Sequence, residues 1–462
     1  MHRDRINRRY RSHQHHNVPI SEMPRIPISL LRQAHTIDPL LPALLAPCRS
    51  LNVAQTELRW MREHVDRVAK ARRARGDIIA KGAMLRQLVR ERSSGKPLQY
   101  QLGTEYFGDL EIQCRPGVLI PRQDTAASVA NLVRLLRKVP KFNEGELRLL
   151  DLCTGTGCIP LLFQHELARN DVDLRVLAVD VSDTAINLAR ENMQRLSKSK
   201  PGQMALLKAD VLIDPFADQT RGMRNLKRAM FEEQHPQFWD ILISNPPYIS
   251  PSAYWRTTTR SVRGFEPTLA LVPPGRAGGD DTKQGDLFYP KLLAIARDVE
   301  AKIVLLEVAN LEQAQRVVRL ARALDIFDGI EVWREDPTSS APNSSDKHGF
   351  TIVGEGNVRS VLCWRGKGSS WLGKVAAQDD NHRILQSSSF RPVPAKAAHL
   401  DTTSSQPQFD MSSWVEQRRL EFDRNPCSRW KQIKNRAKKN DRKKRKVKGN
   451  TWYQYADIPW RT

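Results

Sequence analysis

Three successive apolar runs, residues 147 to 150, 174 to 179 and 204 to 209, each close on an aspartate: Asp151, Asp180 and Asp210. Short runs rich in Leu and Val, separated by helix-length polar segments, read as parallel strands buried on both faces. The carboxyl ends of such strands share one edge of the sheet, and that edge is where ligands settle. After the first run comes Cys153-Thr154-Gly155-Thr156-Gly157, then an apolar stretch from Ile159, which gives the order strand, tight loop, helix. Glycines are needed where the backbone turns sharply and approaches a ligand with no Cβ in the way. The G-x-G-x-x-G spacing is absent, so this is not the dinucleotide fingerprint.

An acid ahead of the loop, Asp151, suits an amino group on the ligand, and Asp180 stands where a carboxylate takes both hydroxyls of a ribose. Taken singly, each acid reads as well as a strand-end residue or a cap; Ser182 or Asp183 serves the helix expected over 185 to 196. Together with the glycine loop, the three acids fit a nucleoside laid across the sheet edge, as in S-adenosylmethionine.

A further apolar run, 240 to 244, opens directly into Asn245-Pro246-Pro247-Tyr248. Asn offers an acceptor and two donors, while two prolines remove backbone donors and leave carbonyl acceptors fixed in place. Such a turn grips a planar NH2 group, either the amide of Asn or Gln or the exocyclic amine of adenine, and a methyl donor is the matching partner. Asn-Pro and Pro-Pro are also ordinary loop punctuation.

These residues carry a resemblance. The chain resembles the HemK-type peptide chain release factor N5-glutamine methyltransferases, in the manner of a fungal mitochondrial member. The matching stretches are GKPLQYQLGTEYFGDLEI (95 to 112), VLIPRQDT (118 to 125), DLCTGTGCIPL (151 to 161), AVDVSDTAINLARENMQRL (178 to 196), DILISNPPYIS (240 to 250), EPTLAL (266 to 271) and GNVRSVLCWR (356 to 365). The glycine loop and the NPPY turn are shared with many amino-methyltransferases; the GKPLQYQLG and LIPR segments are more specific, because nucleic-acid methylases with an NPPY turn generally lack them.

The resemblance implies a seven-stranded, Rossmann-like class I S-adenosylmethionine-dependent methyltransferase domain, preceded by a small helical domain and a β-hairpin linker. It implies that Asp151 and the loop from Cys153 through Thr154, Gly155, Thr156 and Gly157 wrap the methionine end of the cofactor. Asp180 then binds ribose, and Asp210 with Val211 flanks the adenine. Asn245, Pro246, Pro247 and Tyr248 form the catalytic turn that holds the target glutamine beside the cofactor, with Phe107, Pro121 and Arg122 closing the substrate side. Two departures stand out: Cys153 occupies the place of the family's first loop glycine, and Gln123, Asp124 and Ala126 depart from its PRPETE wording.

The mechanism expected from an amide is positioning. Asn245 Oδ1 and the Pro246 carbonyl accept the two N–H bonds, and no strong general base is needed. Tyr248 is expected to pack against the substrate with its ring. His165 and His348 read as surface or structural groups. The alternative is a nucleic-acid amino-methyltransferase, N6-adenine or guanine, using the same turn. A continuous basic channel leading to Asn245 would favour that alternative, and a neutral or acidic groove a protein substrate.

Organisation along the chain is uneven. Residues 1 to 40 form a basic leader, with Arg3, Arg5, Arg8, Arg9 and Arg11 against one early acid, Asp4; this composition reads as a mitochondrial presequence or a plain basic leader. Residues 41 to 94 carry Leu51, Leu58, Met61, Val65, Val68, Ile78, Leu85 and Leu88 at amphipathic spacing. In the family this bundle contacts the release factor. The linker is expected over 95 to 130, the catalytic domain over 145 to 366, and a disordered basic extension over 367 to 462. Lys431 to Lys448 holds eleven basic residues against one acid and supplies much of the net charge of +23. With Trp452, Tyr453, Tyr455 and Trp460 following, this tail reads as an RNA or ribosome contact, a solvated tail, or a nuclear signal. The six cysteines form no C-x-x-C pair, which suits a reducing compartment and no metal site. No apolar run of membrane-spanning length is present, so no membrane segment is expected. A monomer is expected from the resemblance.

Overall fold

The computed structural model describes residues 26–139, 145–168, 172–197, 203–213, 224–275, 279–339 and 349–374. The N-terminal arginines, His348 and the basic C-terminal tail lie outside these residues.

Four helices, Ile28–Ile37, Leu41–Cys48, Leu51–Arg73 and Lys81–Ser93, form a bundle with its own core, in which Leu44, Leu58, Met61 and Val65 are buried. Leu58, Met61 and Val65 follow the helical spacing that brings one face inward. Ile78, included in that pattern, is instead fully exposed, because it falls between helices. Inside the bundle the Arg92 guanidinium donates to both oxygens of Glu57, at 2.7 and 3.0 Å. The bundle begins at Ile28, within the stretch expected as leader, and Ala34 of that first helix is fully buried.

A hairpin follows, β1 (Thr104–Phe107) and β2 (Leu110–Gln113), turning through Gly108 and Asp109. The helix Gln123–Lys138 then places Val129, Leu132, Val133 and Leu136 against the sheet, so the catalytic core takes in residues expected as linker.

The sheet contains β3 (Leu147–Leu152), β4 (Leu174–Asp180), β5 (Met204–Lys208), β6 (Ile241–Ser244), β7 (Ile303–Glu307), β8 (Gly329–Asp336), β9 (Thr351–Val353) and β10 (Glu355–Trp364), in the order β5-β4-β3-β6-β7-β10-β8-β9. Strands β3 to β7 are parallel to one another, and β10 runs antiparallel between β7 and β8. The sheet therefore has eight strands where seven are expected. At the edge, β9 lies parallel along β8 before the chain enters β10.

Residues alternate between two cores, as a strand's period of two requires. Leu150, Leu152, Leu177, Val179 and Leu242 enter one core; Leu147, Leu149, Val176, Ala178 and Ile241 enter the other. From β3 the chain builds outward to β4 and β5, and from β6 it builds the opposite way to β7. The order reverses between β3 and β6, and the carboxyl ends of this pair flank the crevice where an open sheet binds ligands.

Candidate active site

At that reversal a cavity of about 330 Å³ opens, lined by the loop after β3, the ends of β4 and β5, the turn after β6, and residues 117 to 122 of the linker. Leu152 pairs with Ser244, so Cys153 and Asn245 leave neighbouring strands side by side. The Ser244 hydroxyl ties the two strand ends by donating to the Leu152 carbonyl at 2.8 Å.

The loop has three residues in the left-handed region: Cys153 at φ 64°, Gly155 at 56° and Gly157 at 76°. For an L residue with a Cβ this conformation costs about 1–2 kcal/mol, so a glycine would sit at the place of Cys153 without strain. Cys153 adopts the glycine-like backbone, and its side chain packs against the core on one face of the sheet. Gly157 has a second constraint: a Cβ there would lie 3.2 Å from that of Ala189 on the helix Asp183–Leu196.

The three strand-end acids are held differently. Asp180 Oδ2 accepts the Gly155 N–H and Oδ1 the Ser182 N–H, both at 2.9 Å, so this carboxylate fixes the loop to the start of the next helix. Burial raises its pKa, and the backbone donors draw it back. Ser182 also caps the helix, accepting the Ala185 N–H at 3.4 Å. Asp210 Oδ1 accepts from Leu212 N at 2.8 Å and lines the cavity beside Val211. Asp151 is fully buried, and neither carboxylate oxygen has a hydrogen-bond partner. Burial pushes its pKa up to about 8, opposed by the nearby Thr154 hydroxyl, which makes no well-aligned hydrogen bond, and aided less by the charge of Asp180. Buried polar groups are ordinarily paired, so an orphaned carboxyl beneath the glycine loop is an exception in this core.

Across the crevice, Asn245 Nδ2 donates to the Thr125 hydroxyl at 3.2 Å. Thr125 donates in turn to Glu307 Oε2 at 2.5 Å, and the Tyr248 hydroxyl donates to Glu307 Oε1 at 3.0 Å. Burial raises the pKa of Glu307, opposed by the Thr125 and Tyr248 bonds and by the charge of Arg359. The backbone of Tyr248 is fixed as well, its carbonyl accepting from Gln313 Nε2 at 3.1 Å. On the linker side the cavity is bounded by Phe107, which is fully buried, and by Pro121 and Arg122. Arg122 donates to Glu266 Oε1 at 2.8 Å, and Glu266 Oε2 accepts the Ile120 N–H at 3.2 Å, so the linker is clamped to the segment that follows the NPPY turn.

The cavity thus gathers Phe107, Pro121, Arg122, Cys153, Thr154, Gly155, Thr156, Asp180, Asp210, Val211, Asn245 and Pro247. Asp151, Gly157, Pro246 and Tyr248 stand behind its wall. The Tyr248 ring packs against the core, partly buried, and its hydroxyl turns to Glu307. His165 is exposed on the helix Cys158–Leu167. Sequence reasoning missed Thr125, Glu307 and Leu269. The first two are polar residues buried at element ends, and Leu269 lies in the EPTLAL stretch, at the cavity wall and 55% exposed. Among the described residues no group of three or more His, Cys, Asp or Glu is placed to hold a metal ion, and no helix is long and apolar enough to cross a membrane.

An acid-lined glycine loop and an Asn-Pro-Pro-Tyr turn on adjacent strands at the switch point of a Rossmann-like sheet define a class I methyltransferase. No family model matches the chain. It is similar, at 34% identity over 251 residues, to the mitochondrial MRF1 N(5)-glutamine methyltransferase MTQ1 of Saccharomyces cerevisiae, covering 54% of this chain and 68% of that one. It is 30% identical over 290 residues to the probable MRF1 mitochondrial N(5)-glutamine methyltransferase mtq1 of Schizosaccharomyces pombe, covering 61% and 85%. The release factor glutamine methyltransferase of Moorella thermoacetica is 32% identical over 247 residues, covering 53% and 73%. The chain belongs to the release factor glutamine methyltransferase family.

Proposed function

We propose that this chain is an S-adenosylmethionine-dependent methyltransferase that modifies, at N5, the glutamine of the Gly-Gly-Gln motif of a class I release factor, the mitochondrial one. The cavity's charge supports this reading over a nucleic-acid substrate. Its charged lining residues are Asp180, Asp210 and Arg122, and the single base is already paired with Glu266. A phosphate backbone needs unpaired cations along its track; a neutral glutamine does not.

The residues fit the cofactor. Just behind the cavity wall Asp151 keeps an orphaned carboxyl that would draw an amino group to the foot of the loop, and the cavity beside Val211 is apolar enough for a base. Thr154 and Thr156 also bring buried hydroxyls without partners to the loop. When bound, the cofactor supplies a methyl group activated on a sulfonium. The protein supplies position. Asn245 Oδ1 accepts from the substrate NH2, Phe107, Pro121 and Pro247 exclude water around the amide, and fixed acceptors favour charge gathering on nitrogen without a general base.

The two yeast relatives are mitochondrial by name, and mitochondrial residence is proposed for this chain on that basis together with its Arg-rich first residues. A ribosome or RNA contact is proposed for the tail from Lys431 to Lys448, and a monomeric state for the enzyme.

The test is transfer of labelled methyl from S-adenosylmethionine, offering purified mitochondrial release factor, its Gln→Ala variant in the Gly-Gly-Gln motif, and total RNA in parallel. Label on the wild-type factor that vanishes with the glutamine is the expected result. Label on RNA with a silent release factor would overturn the assignment.

A further inference from the structure

An asparagine amide can be turned either way in its socket, and the two orientations are chemically opposite: one presents an acceptor to the cavity, the other a pair of donors. Only the first can receive a substrate NH2. Nothing in the Asn-Pro-Pro-Tyr turn itself decides between them.

The decision lies behind the turn. The Thr125 hydroxyl has one hydrogen, and it is directed at Glu307 Oε2, 2.5 Å away. Its oxygen is left with lone pairs only, so it can accept from Asn245 and cannot donate to it. Asn245 meets that demand by presenting Nδ2 at 3.2 Å, which turns Oδ1 to the opposite side. Glu307 is itself committed: its second oxygen takes the Tyr248 hydroxyl at 3.0 Å. Thr125 and Glu307 are 5% and 7% exposed, so water does not compete freely for these bonds. Each group comes from a different element: Thr125 from the first turn of the helix Gln123–Lys138, Glu307 from the end of β7, and Asn245 from the end of β6.

We propose that Thr125 and Glu307 are positioning residues that fix the polarity of the Asn245 amide, holding its oxygen toward the target glutamine. The inference rests on reading Asn245 as the glutamine cradle. It assigns the carboxyl of Glu307 a role at one remove: accepting from the hydroxyls of Thr125 and Tyr248, it takes up the Thr125 hydrogen, and the Thr125 oxygen then receives the amide NH2. A glutamine at 307 would bring an NH2 into the same space. Where that NH2 donates to Thr125, the hydroxyl hydrogen is released toward Asn245 and the amide is no longer held to one face.

Steady-state methyl transfer to the full-length release factor, with S-adenosylmethionine binding by calorimetry, tests this on the full chain. Thr125→Val and Glu307→Gln should each lower kcat about a hundredfold, the size of effect seen when one preorganised polar contact to a reacting group is lost. KM for the release factor and the affinity for S-adenosylmethionine should stay within about threefold, because the misplaced group acts in the reacting geometry. Thr125→Ser keeps the hydroxyl and should recover kcat to within about fivefold of wild type. Retention of wild-type kcat by both Thr125→Val and Glu307→Gln would overturn the proposal. So would a Thr125→Ser variant as impaired as Thr125→Val, since loss of packing alone would then account for the effect. Should Thr125→Val show no cooperative melting, Glu307→Gln, which keeps the side-chain shape, decides by the same criteria. A wild-type enzyme that leaves the release factor unlabelled refutes the glutamine assignment instead, before any variant is made.

Discussion

Replacing Asp151 by Asn removes a proton-binding site from the interior while keeping its shape, and the consequence for stability can be worked through pH. In the folded protein both oxygens of Asp151 are buried without a partner, and burial, with Asp180 nearby, pushes the pKa up to about 8. In the unfolded chain an aspartate titrates near ~3.9. The folded state therefore keeps a proton that the unfolded state gives up. The stabilisation is fully present below about pH 4 and is lost progressively as pH rises toward about 8. Inside that window the slope for one proton is about 1.4 kcal/mol per pH unit. Asn carries no such proton, so the unfolding free energy of Asp151→Asn minus that of the wild type should grow by roughly 3 kcal/mol between pH 5 and pH 7. His64 and His235, whose pKa values burial lowers, are common to both proteins and cancel in the subtraction. Urea denaturation of both proteins at pH 5, 6 and 7, without ligand, measures the difference. A difference that does not change with pH would mean that the carboxyl is ionised or partnered in the folded state, and the reasoning would fail. With ligand present the order should reverse in function: the Asn variant, more stable at neutral pH, should bind S-adenosylmethionine at least about tenfold more weakly, as loss of a charged hydrogen bond implies.

Asn245→Ala removes the acceptor in the turn, and methyl transfer to the release factor should fall by about two to three orders of magnitude in kcat, read from label incorporation. Gly157→Ala places a Cβ 3.2 Å from that of Ala189 at φ 76°, and should cost about 2 kcal/mol, seen as a melting temperature lower by several degrees. Tyr248→Phe strips one donor from buried Glu307 and should cost about 1–3 kcal/mol in urea denaturation. Tyr248→Ala also empties a place against the core and should cost visibly more; equal losses for the two would contradict the placement of the ring.

Much of this architecture is written in local sequence. Strands β3, β4, β6 and β7 are apolar runs, broken near the start of β3 and β4 by Arg148 and Arg175, because they are buried on both faces, and that is the pattern a single stretch of sequence can carry. The glycine loop and the Asn-Pro-Pro-Tyr turn are legible for the same reason, since each is a contiguous backbone device. The longest strand, β10, passes almost unnoticed: its first residues are exposed and its register with β8 shifts twice, so no clean alternation marks it. The first helix hides in a basic leader because only Ala34 is fully covered along it. The support behind Asn245 is invisible for another reason. Thr125 and Glu307 are 182 residues apart, and a lone Thr or Glu has no periodicity to betray it. Cys153 is the reverse case, an apparent departure in sequence that the backbone absorbs by taking the glycine conformation.

Because β3 and β6 are hydrogen-bonded neighbours, the glycine loop and the amide turn are separated by a single interstrand step, about 4.8 Å. The sheet is thus the ruler of the reaction. A helix may shift, or a distant connection lengthen, without altering that interval, because the backbone ladder and the Ser244 bond to Leu152 define it locally. Family members sharing about a third of their residues can then diverge widely over the rest of the surface while the donor and acceptor halves of the chemistry keep the same spacing, and selection at the periphery is free to act on which protein is brought to it.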